Sequence, residues 1–244
     1  MDTEILDNTL ITGGNGSMAS YIDFGTRLGH EDLDITDFAK CKLVIEKYRP
    51  KVILHLAAET DLKKCEDDPT HAYMVNSAGT YNLEKKKKMV GAKMLYVSTD
   101  AIFPNGKNPH EVNDIPKPDS VYGHSKYLGE LAVKGISDDY IIARTSWIFG
   151  GGKERDKKFV AKFINELEKP EAQAVNDQFS SPTYARDLVS ALKDLIIKNK
   201  KGTFHIPNSG TASRYDMALV MAEVLNKKTK ILPVLAEVFN VPFY

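Results

Sequence analysis

Four apolar runs punctuate the chain: NTLIT at 8–12, KVILHLAA at 51–58, AKMLYVST at 92–99 and DYIIARTSWIF at 139–149. They are short, rich in β-branched residues and lack strict polar alternation, so they predict strands buried on both faces of a sheet. Between them DFAKCKLVIEKY (37–48), HAYMVNSAGTYNLEKKKKMV (71–90) and VYGHSKYLGELAVK (121–134) have the length and period of helices. Strand alternating with helix predicts right-handed crossovers and a doubly wound, parallel α/β sheet. Past residue 150 the pattern loosens into the glycine-rich GGGKERDKK, then a helix near 156–168, a strand around QAV, a helix over 184–198, the stretch GTFHIPN and a helix near 213–227. The reading is one main domain over 1–150, with 151–244 forming mainly a small C-terminal lobe and returning some elements to the main core.

Composition narrows the partner. Lysine plus arginine and aspartate plus glutamate each number 33, so no overall field draws the chain to nucleic acid or an anionic membrane. The acidic start MDTEILDNTL is unlike a secretory signal, and no apolar run approaches the ~20 residues that span a bilayer. A soluble, cytoplasmic protein acting on a small molecule is expected. Cys41 and Cys65, with neither CxxC nor metal-ligand spacing, read as packing thiols in a reducing compartment. His30, His55, His71, His110, His124 and His205 are scattered without an HExxH pattern, so no metal site is expected, and the Lys85–Lys88 run reads as the solvated end of a helix.

ITGGNGSMA (11–19) follows the first strand and is expected to open the first helix, with Gly13, Gly16 and Ala19 at three-residue spacing. Glycines there admit a pyrophosphate to the backbone, and a helix N-terminus adds donors and positive potential. The plainer alternative is a tight turn with no ligand. Only seventeen residues lie between Gly16 and Asp34, so the first helix or the second strand must be shortened. Asp34 either meets the adenosine end of a dinucleotide or caps the helix starting near Phe38. Arg27 and His30 are the alternative, as partners of a 2′-phosphate, and the choice between NADH and NADPH stays open.

Tyr122 and Lys126, four apart in VYGHSKY, share a helix face, from which His124 should point away. An ammonium and an oxidised nicotinamide both favour phenolate, which would let such a tyrosine exchange a proton with an alcohol or carbonyl oxygen while hydride moves. Alone, the pair could be incidental. HLAAET puts Ala57 and Ala58, YVSTD puts Ser98 and Thr99, and RTSWIFG puts Trp147 past strand ends, where open α/β sheets bind ligands. Thr99 could hydrogen-bond a substrate oxygen. The alternatives are a simple turn at Thr99–Asp100 and a core aromatic at Trp147.

TGGNGSMA, HLAAET, VNSAGTYNL, YVSTDAIF, VYGHSKYLGE, RTSWIFG and VNDQFSSPTYARDL, in this order, resemble the extended short-chain dehydrogenase/reductases and, more narrowly, the dTDP-4-dehydrorhamnose reductase family, over roughly residues 9–235. YxxxK and the glycine loop mark only the superfamily; STDxxF, RTSW and DQxxSPTYxxDL are more specific. The resemblance implies a Rossmann domain binding NADPH or NADH, and reduction of the 4-keto group of a dTDP-linked 6-deoxyhexose, a nucleotide-sugar substrate, by a homodimer. It implies Tyr122 as proton donor, Lys126 on the nicotinamide ribose lowering the tyrosine pKa, and Thr99 on the keto oxygen. Cofactor contacts are implied at Gly13, Asn15, Gly16, Ser17, Met18, Asp34, Ile35, Ala57, Ala58, Thr60, Tyr122 and Lys126. Substrate contacts are implied at Thr99, Asp100, Trp147, Asn176, Gln178 and Tyr184. Two departures stand out: Ala101 occupies a position where many members carry tyrosine, and after VPFY the family pattern leads one to expect a further helix and an arginine-proline stretch. Rival readings are another nucleotide-sugar reductase or epimerase of the superfamily, and a non-catalytic regulatory subunit like that of methionine adenosyltransferase, against which intact Thr99, Tyr122 and Lys126 argue.

Overall fold

The computed structural model describes residues 2–104, 109–152 and 154–239; Lys153 of the glycine-rich loop and the closing VPFY lie outside them. Six parallel strands make the main sheet: β1 (Thr9–Thr12), β2 (Thr26–Leu28), β3 (Val52–His55), β4 (Lys93–Thr99), β5 (Tyr140–Thr145) and β6 (Gly202–His205). Their spatial order is β6-β5-β4-β3-β1-β2. The chain leaves β1 toward β2 and then returns to add β3 on the opposite side. The direction of winding therefore reverses between β1 and β3, which opens a crevice at their carboxyl ends.

The strands are continuous apolar runs because the sheet has a core on each face. Leu54, Leu95, Val97, Ile141 and Ala143 point into one core, closed by Leu188, Leu192 and Ile196 of the helix Ala185–Ile197. Ile53, Met94, Tyr96 and Ile142 point into the other, closed by Cys41, Val44 and Ile45 of Phe38–Tyr48, Leu83 of Thr80–Lys87 and Val133 of Val121–Ile136. A third, smaller core joins Phe163 and Leu167 to Ala172, Ala174, Ala218 and Ala222. It lies beneath the paired strands Glu171–Val175 and Lys230–Val234.

Four expectations are corrected. No helix follows the glycine loop: Met18–Tyr21 is a single 3₁₀ turn, and β2 has only three residues, so the short spacing compresses both elements. Asp34 does not cap the next helix. Asp37 does, accepting from the amides of Ala39 and Lys40, while Asp34 closes a turn by accepting from the amide and hydroxyl of Thr36 at 2.9 and 2.8 Å. The lysine run is not wholly solvated. Lys87 is buried, with Nζ 3.0 Å from buried Glu84 Oε1 and donating to the Asp139 carbonyl at 3.3 Å, and Lys86 Nζ lies 3.6 Å over the Phe38 ring. The stretch expected as one helix over 71–90 is α-helical at Pro69–Tyr73 and Thr80–Lys87 with a π turn, Met74–Gly79, between.

Candidate active site

The glycine turn joins β1 to the crevice. Gly13 has φ 69°, and a methyl on it would stand 2.8 Å from the Ala57 amide nitrogen, so only glycine lets the turn lie against the end of β3. The Gly14 amide donates to Leu28 O and the Gly16 amide to Gly13 O. Among the described residues the amides of Asn15, Ser17 and Met18 have no such partner. A turn with spare donors fits an anionic pyrophosphate, although the four-residue 3₁₀ turn supplies little of a helix dipole. Ala57 and Ala58 are half-buried beside it, Thr60 is exposed, and Ile35 is in the core with its side chain against Gly79. Arg27 is exposed and donates from one guanidinium nitrogen to Ala19 O at 2.9 Å, so part of its capacity already holds the 3₁₀ turn.

Across the crevice, β4 ends at Thr99, directly opposite Thr145 of β5. Thr99 Oγ1 accepts from the Ala101 amide and donates to Asp100 Oδ1, both at 3.2 Å; the turn foreseen as the alternative is present, and the hydroxyl serves it. Asp100 Oδ2 accepts from Ser180 Oγ at 2.7 Å, which ties the strand end to the smaller lobe. Burial raises the Asp100 carboxyl pKa against these hydrogen bonds. Burial also lifts the Tyr122 phenol well above its ordinary value; the Thr99 hydroxyl pulls the other way and the Asp100 charge adds to the rise. The phenol therefore stays protonated at neutral pH. Lys126 is buried, donates from Nζ to Val97 O at 2.8 Å and sits 4.1 Å from the centre of the Tyr96 ring. Burial depresses its pKa to about 7, with Glu130 opposing and Lys158 adding.

Several residues that the sequence reading passed over hold this wall in place. Ser120 caps the tyrosine helix by accepting from the Gly123 amide at 3.0 Å. A methyl on Gly123 would fall 2.1 Å from Ala101 O, so the helix start and the strand exit touch backbone to backbone. Asn76, inside the π turn and buried, accepts from the Glu59 amide and donates to Glu59 O and Ser125 Oγ. Ser125 Oγ in turn donates to Tyr122 O at 2.8 Å. One amide thus links the exit of β3 to the tyrosine helix. His124 is exposed and pairs with the Tyr73 hydroxyl, off the site.

The smaller lobe forms the far wall. Trp147 has φ 39°, a left-handed conformation rare for a bulky residue, and its carbonyl accepts from the Thr183 amide. Arg214 stacks its guanidinium 3.6 Å over the Trp147 ring and 4.8 Å from the centre of the Phe159 ring. Arg214 and Lys158 are two cations at this site that the sequence reading did not single out. Gln178 is half-buried, with Nε2 enclosed and unpartnered among the described residues, and Asn176 is exposed. Tyr184 is set apart: its ring meets Tyr21 and Phe149, next to Gly150 and the glycine turn.

The chain matches the description "RmlD substrate binding domain" over residues 8–243. It is 34% identical over 211 residues to the spore coat polysaccharide biosynthesis protein SpsK of Bacillus subtilis, covering 85% of this chain and 73% of that one. It is also 34% identical over 227 residues to the dTDP-4-dehydrorhamnose reductase of Mycolicibacterium smegmatis, covering 88% and 68%. Among solved structures, the dTDP-4-dehydrorhamnose reductase of Bacillus anthracis in complex with NADP superposes with a TM-score of 0.90 at 33% identity, covering 96% of this chain and 87% of that one. The NAD complex of Thermus thermophilus UDP-glucose 4-epimerase, at 20% identity and a TM-score of 0.81 over 93% of this chain and 86% of that one, shares the fold. The strand-end hydroxyl, the helix-borne tyrosine and lysine, and the glycine turn stand in the frame those relatives share, and the chain belongs to the dTDP-4-dehydrorhamnose reductase family.

Proposed function

We propose that the protein is an oxidoreductase that uses NADPH or NADH to reduce the 4-keto group of a dTDP-linked 6-deoxyhexose, converting dTDP-4-dehydrorhamnose to dTDP-L-rhamnose. The observation that carries the reading is the Tyr122 phenol beside the Thr99 hydroxyl at the end of β4. The Gly13–Met18 turn, Ala57, Ala58 and Lys126 would hold the dinucleotide, which supplies the hydride. Thr99 hydrogen-bonds the keto oxygen, and Tyr122 gives it the proton as negative charge develops there. Lys126 would hold the ribose and stabilise the tyrosinate left behind. Asp100 and Trp147 line the sugar, with Asn176 and Gln178 beyond them. No helix among the described residues is long and apolar enough to cross a membrane.

The test follows absorbance of the reduced nicotinamide with freshly made dTDP-4-dehydrorhamnose, NADPH and NADH in separate reactions. Stoichiometric oxidation with dTDP-L-rhamnose appearing is the expected result, and it separates a reductase from an epimerase, which regenerates its cofactor. Tyr122→Phe should lower kcat by ~10²-fold or more while the dinucleotide still binds. Unchanged turnover in that variant removes Tyr122 from the mechanism.

A further inference from the structure

Buried cations in this protein are answered by carboxylates. Arg144 makes a two-pronged bond to Glu130 at 2.9 and 2.8 Å, Lys87 faces Glu84 at 3.0 Å and Lys93 faces Asp139 at 2.9 Å. Lys126 is as buried as these and is held differently. The carboxylate that acts on it, Glu130 one helical turn on, gives both oxygens to Arg144. The ammonium meets instead Val97 O at 2.8 Å and the face of the Tyr96 ring, with Nζ 4.1 Å from the ring centre. Tyr96 is fully buried and touches Lys126 a second time, its hydroxyl donating to Lys126 O at 3.2 Å. Gly129 makes room for that hydroxyl: a methyl on it would stand 2.4 Å from Tyr96 Oη.

Behind Tyr96 lies His55, with ring centres 5.5 Å apart. Its charge follows from counting donors. Thr12 Oγ1 accepts from the amides of Leu56 and Ala57, so its hydrogen goes to His55 Nδ1, 2.7 Å away. His55 Nε2 then carries the proton and donates to Thr80 Oγ1 at 3.0 Å, whose own hydrogen goes to Asn76 O. The imidazole is neutral, and burial, with the Lys126 charge adding, holds its pKa down at about 3. A negative ring face therefore lies under the ammonium, and the group behind that ring carries no charge.

We propose that Tyr96 is a positioning residue for the reaction: its ring face bears the charge of Lys126 in place of a carboxylate, which leaves the ammonium free to hold the nicotinamide ribose. This role rests on the reductase reading for the dinucleotide that Lys126 holds, and not for the sugar. A carboxylate in contact would bind the ammonium by strong directional bonds and compete with ribose hydroxyls, whereas a π face attracts the charge through its quadrupole. One N–H goes to Val97 O, and the others remain for the ribose. The other groups facing Lys126 are Tyr122 and Glu130 on its own helix and, from the smaller lobe, exposed Lys158, whose like charge disfavours the ammonium.

The test is calorimetric titration with NADPH across the neutral pH range, for the wild type, Tyr96→Phe, Tyr96→Leu, and mono-, di- and trifluorophenylalanine in place of Tyr96. Wild-type affinity should be level below the Lys126 pKa and fall above it. Tyr96→Phe keeps the ring and should keep that midpoint. Tyr96→Leu should lower the midpoint by about one pH unit, the worth of a desolvated cation–π contact. Fluorine drains the ring face while nearly preserving its shape, so the fluorinated series should lower the midpoint stepwise, and it decides if Tyr96→Leu does not fold. An unmoved midpoint across that series overturns the proposal. So does an equal shift in Tyr96→Phe, which would give the effect to the hydroxyl, and so does a wild-type profile with no fall, which would take Lys126 off the ribose. The expected profiles from a wild type that reduces no dTDP-4-dehydrorhamnose would sink the reductase reading and leave the role of Tyr96 standing.

Discussion

A single methyl placed at Gly123 should separate positioning from chemistry. The added carbon would stand 2.1 Å from the Ala101 carbonyl oxygen, and ordinary carbon contacts begin near ~3.5 Å, so the start of the tyrosine helix must retreat by more than ~1 Å. Neither neighbour can yield cheaply: Ala101 belongs to the turn closed on Thr99 Oγ1, and the Gly123 amide is held by Ser120. Tyr122 moves with its helix, and a misplacement of ~1 Å at a reacting group costs ~10²-fold. Gly123→Ala should therefore lower kcat by about 10²-fold and leave NADPH affinity within a few-fold, since the glycine turn is on other elements. Gly135→Ala, in the same helix but facing open space, is the matched control. It should leave kcat alone and gain ~0.5–1 kcal/mol of helix propensity, raising Tm by ~1–4 °C. The measurements are steady-state nicotinamide oxidation and thermal unfolding of the three proteins. Wild-type kcat in a folded Gly123→Ala would refute the claim that this backbone contact sets the tyrosine.

Lys126 loses its proton as pH rises through about 7, so kcat/KM for the reduced dinucleotide, which reports the free enzyme, should be level below that pH and fall above it; a limb that persists in Lys126→Met would assign the titration elsewhere. Burial raises the Glu84 carboxyl pKa to about 7, above its unfolded value. The folded state then holds a proton that the unfolded state releases, and stability should fall between about pH 5 and 7 by up to ~1.4 kcal/mol per pH unit from this group. Denaturant titrations should show that slope reduced in Glu84→Gln, and an identical slope would count against it. Burial pushes the thiols of Cys41 and Cys65 up to about 12, so native protein at pH 8 should resist iodoacetamide, with both thiols alkylated only after unfolding, as mass spectrometry would show.

What the chain revealed in advance were features with a local cause. The apolar runs became strands because burial on both faces leaves no room for alternation, and Tyr122 and Lys126 came on one helix because four-residue spacing suffices for that. Features settled through space were hidden. LDITDF offers two aspartates at nearly the right distance from Phe38, and only the chain path chooses Asp37 as cap and leaves Asp34 to Thr36. Lys87 looks like its lysine neighbours until Glu84 and the carbonyl of Asp139, fifty-two residues on, surround it. Asn76 acquires its linking role from a π turn that periodicity does not register. Arg214 meets Trp147 only because Ala212 and Ser213 pair with Ser180 and Phe179.

The sheet's last strand has a consequence for how the chain can be assembled. β6 arrives after the smaller lobe has begun, yet it pairs with β5 along Ile141–Arg144, and the helix before it roofs one face of the sheet. A ribosome that has released only the first 150 residues has made five of the six strands, with β5 an open edge and one core unroofed. Such an intermediate exposes an unpaired strand and apolar surface, the features that invite association between nascent chains. Folding of the nucleotide-binding half is therefore tied to synthesis of residues up to 205, and the lobe segment made in between must wait as a loop, or fold on its own small core, while the sheet closes around it.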